Sequence, residues 1–135
     1  MVNGWEAYLL GPNGYCERNG IIKGCIFGQD GVEYANYKAD ISAQEITTLV
    51  NIFQDPSNAY ASGFMLGDAK FTLLRIDPYD GFLQGRSKED SRSVCAALTN
   101  NTIMIALGDK DSGMDGGQIS ATLSKVVDYV KKCGL

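Results

Sequence analysis

The feature that most restricts the fold is a series of short apolar segments between residues 63 and 108. These segments read FMLG, KFTLLRID, GFLQGRS, RSVCAALT and TIMIALG, and they are separated by GD, DPYDG and NN. Apolar runs of four to eight residues bounded by Gly, Pro, Asn and Asp are typical of strands joined by tight turns. The series therefore predicts an antiparallel meander.

Two of these segments, 94–99 and 103–107, are apolar on both of their alternating faces. A strand with two apolar faces must be covered on both sides of its sheet, because neither face can be left in water. We therefore predict an α+β fold in which helices sandwich a central antiparallel sheet.

Outside the meander, two further segments contain residues that mark where a turn or a helix begins and ends. Asp30-Gly31 lies between two strand-like runs and predicts a hairpin turn. The sequence SAQE at 42–45 has the capping-box spacing, and it predicts a helix that ends at Asp55-Pro56. Its apolar side would carry Ile46, Leu49, Val50 and Phe53.

The two ends of the chain are also predicted to be helical. The first helix, around Trp5, is short because Gly11-Pro12 follows it. The last runs from about Gly117 to Cys133 and is ended by Gly134. Its inward stripe would be Ile119, Leu123, Val126, Val127 and Val130.

Length and composition are those of one compact domain over residues 1–135, with 44% hydrophobic residues. The apolar runs are too short to span a bilayer, and the N-terminus lacks the features of a signal peptide, so we expect a cytosolic protein. The four cysteines have no C-x-x-C spacing, and we expect them to be thiols.

Charge and the absence of histidine exclude several classes of function. The chain has 12 basic and 16 acidic residues, a balance that argues against dedicated nucleic-acid binding. Without histidine there is no Ser-His or Cys-His nucleophile pair and no histidine-ligated metal site. Most hydrolase mechanisms are therefore excluded, and our expectation for the chain as a whole is no catalysis, no metal and no cofactor.

Residues 109–120 begin like a calcium-binding loop, with Asp109, Asp111 and Asp115 at its positions 1, 3 and 7. Met114 occupies the position that requires glycine, and Ser120 the position of the bidentate glutamate. Calcium binding is therefore not predicted.

The same glycine-rich helix start, at 113–117, could instead bind a phosphate through its backbone N–H groups. It lacks both nucleotide-binding fingerprints, so a simple turn into a helix is favoured. A nucleotide-binding or enzymatic α+β domain and a dimeric scaffold domain of similar topology stay as alternative functions.

Trp5, the only tryptophan, and Tyr8 are spaced three residues apart on the first helix. Aromatic pairs at this spacing usually dock a helix onto the core. Tyr34 and Tyr129 could lie beside them, and a cluster of such polar-tipped rings suits a polyproline II ligand.

Several stretches taken together resemble the profilin family over essentially the whole chain. They are GWEAY, GCIFGQDGVEYA, SGFMLGDAKFTLLRID, GRSK, TIMIALG and VVDYVKKCGL, in this order. The resemblance implies that the terminal helices lie side by side on one face of the sheet. It also implies binding of monomeric actin, proline-rich segments of actin-assembly factors and phosphoinositide membranes, and a place at the cytoskeleton.

The resemblance also assigns residues to each ligand. The proline groove would contain Trp5, Tyr8, Tyr34, Tyr129 and Leu135. The actin surface would contain Lys70, Thr72, Leu74, Arg75, Arg86, Lys88, Met114, Gly117, Ser120 and Lys125. Phosphoinositides would contact Arg86, Lys88, Lys131 and Lys132.

Overall fold

Seven strands and four helices are formed by the residues that the computed structural model describes, which are 5–10, 14–15, 22–67, 69–87, 89, 92–108 and 116–135. The helices are α1 (Glu6–Leu10), α2 (Ala43–Gln54), α3 (Ser57–Ser62) and α4 (Gly116–Lys132). The strands are β1 (Ile22–Gly28), β2 (Glu33–Tyr37), β3 (Phe64–Leu66), β4 (Ala69–Asp77), β5 (Phe82–Ser87), β6 (Ser93–Leu98) and β7 (Thr102–Gly108).

All seven strands belong to one antiparallel sheet with the order β2-β1-β7-β6-β5-β4-β3. Strands β3 to β7 follow one another along the chain, which confirms the predicted meander. The predicted hairpin between β1 and β2 also forms, and Gly31 in its turn has a φ of 94°, which glycine adopts without strain.

Two apolar cores form, one on each face of the sheet. The face under α2 and α3 buries Ile46, Phe71 and Ile105, among others. The opposite face buries Leu9 of α1, Met104 of β7 and several residues of α4. Helices therefore cover both faces, and the terminal pair shares one of them, as predicted.

Helix α2 begins with the predicted capping box. The Ser42 hydroxyl accepts a hydrogen bond from the Glu45 backbone N–H at 3.2 Å, and the Glu45 carboxylate accepts one from the Ser42 N–H at 3.0 Å. The same carboxylate oxygen accepts the Gly67 N–H at 3.2 Å. The cap therefore also joins α2 to the turn between β3 and β4.

Helix α3 is a difference from the sequence prediction, in which Asp55-Pro56 marks only the end of α2. The chain turns helical again immediately after Pro56, whose carbonyl accepts the Tyr60 N–H at 3.0 Å. The Asp55 carboxylate accepts the Ser57 N–H at 3.2 Å, and hydrogen bonds from the Ser57 side chain and backbone lower the pKa of Asp55. Proline thus ends one helix and precedes the next.

Helix α4 packs with the five apolar residues predicted for its inward stripe, all of which are buried. Gly134 follows it with a φ of 81°, the left-handed conformation expected where a helix is terminated. Within the described part of the chain, no helix has the length and apolarity needed to cross a membrane.

We expect Ser42→Ala to lower the free energy of unfolding by about 1 kcal/mol, because the Glu45 N–H loses its acceptor at the helix end. Urea denaturation followed by circular dichroism measures this change. Thr47→Ala, at an exposed position of the same helix, is the matched control and should change stability by less than about 0.5 kcal/mol. Equal effects of the two substitutions would contradict the capping role.

Candidate ligand-binding surfaces

Four aromatic rings form a continuous row on the face that carries the terminal helices. The Trp5 ring stacks on Tyr34, with centroids 5.5 Å apart and planes at 25°. It contacts Tyr8 at 5.5 Å, and Tyr8 in turn lies 6.2 Å from Tyr129. The row therefore joins β2, α1 and α4, and it unites the four rings predicted for the proline groove. We call it the aromatic groove.

Two buried side chains outside the groove, Leu9 and Tyr15, help to hold helix α1 on the sheet. Leu9 is buried, and the buried Tyr15 donates its hydroxyl to the Cys25 carbonyl at 2.9 Å. Tyr15 also donates its backbone N–H to the Tyr8 carbonyl at 3.1 Å. Trp5 and Tyr8 pack partly on the core and stay half exposed, so they combine the docking role with an accessible ring face.

A hydrogen-bond network connects the β1–β2 hairpin to the end of α4. The Gln29 side-chain amide donates to the carbonyls of Thr99 at 2.9 Å and Thr102 at 3.2 Å. The Thr99 hydroxyl and the Asn101 N–H donate to the Leu135 carbonyl, at 3.3 and 3.2 Å. This network fixes the end of α4, including the partly exposed Leu135, relative to the hairpin that carries Tyr34.

No pattern in the sequence predicts this network. Gln29 and Thr99 are 70 residues apart, and nothing in their local sequence pairs them. Thr99 and Thr102 are buried and share a hydroxyl contact on either side of an exposed turn, and neither residue belongs to a predicted site. Only the spatial proximity of the two turns identifies these residues.

Tyr129 is the most accessible ring of the groove, with 59% of its surface exposed. A hydrogen bond with the Cys133 side chain, assisted by electrostatic repulsion from Cys133 and Tyr8, raises the pKa of Tyr129. Its hydroxyl therefore stays protonated to a higher pH than an ordinary tyrosine hydroxyl. Its single proton is engaged with Cys133, so donation to a ligand carbonyl requires an exchange of this partner.

A second surface lies on the same face of the sheet, beside α4. Phe71 and Leu73 are buried in the core under α2. The alternating residues Lys70 and Thr72 therefore point to the opposite face. Arg86 pairs with Thr72 and shares its face. Helix α4 covers mainly β6 and β7, so the Lys70 and Arg86 side chains of β4 and β5 stay exposed. We call this region the strand surface.

Arg75 joins the strand surface because of a β-bulge. Leu73 pairs with Gly85 and Arg75 with Gln84, so Leu74 is the extra residue and is 45% exposed. The bulge returns Arg75 to the face of Thr72, although simple alternation would place it opposite. Burial raises the pKa of the Cys95 thiol on that face to about 12, while the charge of Arg75 acts to lower it.

A cavity of about 310 Å³ lies where the strand surface meets α4. Arg75 and Ser120, both predicted to contact actin, are on its opposite walls. Lys125 points elsewhere, because five helical positions place it about 140° around α4 from Ser120. Gly117 is exposed in the first turn of α4. Lys88 and Met114 lie outside the described residues.

The residues predicted to contact phosphoinositides fall into two groups. The Lys131 amino group donates to the Asp80 carbonyl at 3.2 Å, next to the start of β5. Arg86 is near the other end of that strand, about 13 Å farther along it. Lys132 is exposed at the end of α4, with Lys131. The structure therefore does not bring the basic residues it describes into one cluster.

No group of three metal-ligating side chains comes together in the described ranges. Of the glycine-rich start at 113–117, only Gly116 and Gly117 are described. The cysteines at 25, 95 and 133 are outside any disulfide, whereas Cys16 is not among the described residues.

Comparison with known proteins decides to which family the chain belongs. The Profilin family profile matches residues 3–135. The chain belongs to the profilin family. Profilin-A of Physarum polycephalum is 25% identical over 133 residues, which cover 96% of this chain and 98% of the relative. Membership of this family confirms the prediction that the chain is not an enzyme.

Solved profilin structures share the fold. Acanthamoeba castellanii profilin IA has a TM-score of 0.82 and 23% identity, covering 98% of this chain and 100% of its own. Mouse profilin IIa, solved with a double repeat from the FH1 domain of mDia1, has a TM-score of 0.78, 21% identity and the same coverages. LokiProfilin1, solved with rabbit actin, has a TM-score of 0.57 and 17% identity, covering 82% of this profilin and 80% of its own chain.

Proposed function

We propose that this profilin binds monomeric actin on its strand surface and proline-rich segments in its aromatic groove. In this role it delivers actin to proline-rich assembly factors and promotes nucleotide exchange on actin, in the cytoplasm and at the cytoskeleton. The observation that carries the proposal is the four-ring row that spans β2, α1 and α4.

The chemistry of the groove suits a polyproline II helix. Such a helix has no internal hydrogen bonds, so its carbonyls are available to donors such as the Tyr129 hydroxyl. Its proline rings can pack against flat aromatic faces, and little conformational entropy is lost because the ligand is already extended. A related profilin has been solved with a proline-rich FH1 repeat, which supports this choice of ligand.

The strand surface has the composition of a protein interface. Arg75 and Arg86 supply positive charge and can form bidentate hydrogen bonds with carboxylates, and the exposed Leu74 adds apolar area. The cavity between Arg75 and Ser120 gives the surface a concave region into which a partner side chain could insert. The complex of LokiProfilin1 with actin supports actin as the partner.

The two surfaces lie on opposite sides of α4. Ser120 and Tyr129 are nine positions apart on this helix, which places them about 180° from each other around its axis. A ligand in the aromatic groove therefore leaves the strand surface accessible. We infer that actin and a proline-rich segment bind at the same time.

For the aromatic groove, we expect Tyr129→Ala to weaken binding of poly-L-proline by about tenfold, because one wall of the groove loses its ring. Titration followed by Trp5 fluorescence measures the affinity. Tyr79→Ala is the matched control, since Tyr79 is 97% exposed on the turn between β4 and β5 and should not affect binding.

The affinity of the parent protein should also be constant between about pH 6 and pH 9, because a tyrosine hydroxyl is protonated in this range at its ordinary pKa and the pKa of Tyr129 is shifted further upwards. Unchanged affinity of Tyr129→Ala would contradict the assignment of this ring to the groove.

For the strand surface, we expect Arg86→Glu to weaken the actin complex by about 2 kcal/mol or more, through the loss of an attractive contact and the addition of a repulsive one. The exposed position of Arg86 predicts little change in melting temperature. Binding of poly-L-proline should be retained. Affinity for labelled monomeric actin and the rate of nucleotide release from it are the measurements.

Lys38→Glu is the matched charge reversal, because Lys38 is exposed just after β2, the strand at the opposite edge of the sheet. It should leave actin binding intact. Actin would be assigned to the wrong strands if the Arg86 and Lys38 variants bound it equally well.

Phosphoinositide binding is a separate and smaller part of the proposal. It rests on the exposed Lys131 and Lys132 at the end of α4, since Arg86 is too distant to contact the same headgroup. We expect Lys131→Gln with Lys132→Gln to reduce salt-sensitive binding to vesicles that contain phosphatidylinositol bisphosphate. Equal binding of the parent to these vesicles and to neutral vesicles at low salt would remove this function.

A further inference from the structure

We propose that Gly28 is the positioning residue of the aromatic groove: it leaves the space in which the tip of the Tyr34 ring is held. The inference rests on the proposed binding of proline-rich segments and concerns the same groove. It predicts that a single methyl group at residue 28 displaces the Tyr34 ring and thereby weakens the binding of proline-rich segments.

Tyr34 occupies an irregular position in the sheet. Ile26 pairs with Ala35 and Phe27 with Glu33, so Tyr34 is the extra residue of a β-bulge in β2. A bulge interrupts the regular alternation of side chains and turns the strand locally. The strand register therefore does not determine by itself where the Tyr34 ring points. Its direction depends more on the groups that contact the ring.

Trp5 supports one face of the Tyr34 ring, and Gly28 lies at its tip. A Cβ atom built on Gly28 would be 2.9 Å from the Tyr34 hydroxyl oxygen and 3.2 Å from the ring carbon that carries it. These distances are below the separation of about 3.5 Å at which such atoms attract each other. Any side chain at residue 28 would therefore push the ring away from its place on Trp5.

The backbone gives no other reason for a glycine at this position. Gly28 is not among the residues with positive φ, and it pairs with Thr102 as the last residue of β1. Alanine can adopt this conformation without strain. The groups that a Cβ atom would contact therefore explain why residue 28 has no side chain.

One of those groups belongs to the hairpin turn. The same Cβ atom would be 2.5 Å from the Asp30 carboxylate, whose oxygen accepts the Val32 N–H at 3.1 Å. A methyl group at residue 28 would therefore disturb the turn as well as Tyr34. An experiment has to separate these two effects.

A double-mutant cycle with Tyr34→Phe makes this separation. The phenylalanine ring lacks the hydroxyl that meets the Gly28 position, whereas the contact with Asp30 is the same in both backgrounds. We expect Gly28→Ala to weaken poly-L-proline binding by about tenfold in the Tyr34 background. In the Tyr34→Phe background the 2.9 Å contact with the hydroxyl is removed and the 3.2 Å contact with the terminal ring carbon remains, so the same substitution should weaken binding by a smaller factor, about threefold.

A second measurement needs no ligand. Quenching of Trp5 fluorescence by acrylamide should increase in Gly28→Ala, because the ring that covers one face of Trp5 is displaced. The increase should be smaller when Tyr34→Phe is also present, because only the contact with the terminal ring carbon remains. Melting temperatures of the four proteins show how much of each effect is due to the turn.

Three results would overturn the proposal. They are equal losses of affinity in both backgrounds, no loss in either, and a failure to fold that is common to both. If the parent does not bind poly-L-proline, the proposed function fails, but the quenching comparison still decides whether Gly28 positions Tyr34.

Discussion

Burial of both faces of β6 and β7 is the constraint on which the rest of the molecule depends. Val94 and Ala96 are buried on the side of α2, and Cys95 and Ala97 on the side of the terminal helices. A sheet with this centre cannot be left open on either side, so it requires two layers of helices. The terminal layer is narrower than the sheet, because α1 lies over β2 and α4 over β6 and β7. The aromatic groove lies between these two helices. The strand surface is the part of the sheet that they leave uncovered.

The relative positions of the four rings in the aromatic groove depend on polar contacts outside the groove. Its rings come from three elements that are far apart in sequence, and ring contacts of about 1 kcal/mol each would not fix three elements by themselves. Gln29 connects the hairpin of Tyr34 to the turn at Thr99, and this turn connects to Leu135 at the end of α4. Because the Thr99 and Thr102 side chains are buried, the loss of a partner would leave polar groups unsatisfied. The network can therefore hold the two walls of the groove at a constant separation.

Most of the fold could be predicted from the sequence, because alternating apolar residues and turn signals are local properties. The same patterns identified the stripe of α4 and the capping box of α2. The bulges at Tyr34 and Leu74 could not be predicted, since a bulge is defined by the pairing of two strands. They matter for the candidate sites, because one determines where Arg75 points and the other affects the direction of the Tyr34 ring. Helix α3 was missed because a proline that ends one helix can also precede another.

Helix α4 contributes to both surfaces, and its packing determines whether they can influence each other. Ile119, Leu123 and Val130 are fully buried against the sheet. Tilting the helix towards a ligand on one side would expose part of this apolar stripe, at a cost of about 25 cal/mol for each Å². A movement that exposed 100 Å² would therefore cost about 2.5 kcal/mol, which is comparable to the whole coupling free energy between typical allosteric sites. Because α4 resists this movement, its packing favours independent binding at the two candidate surfaces, as the proposed simultaneous binding of actin and a proline-rich segment requires.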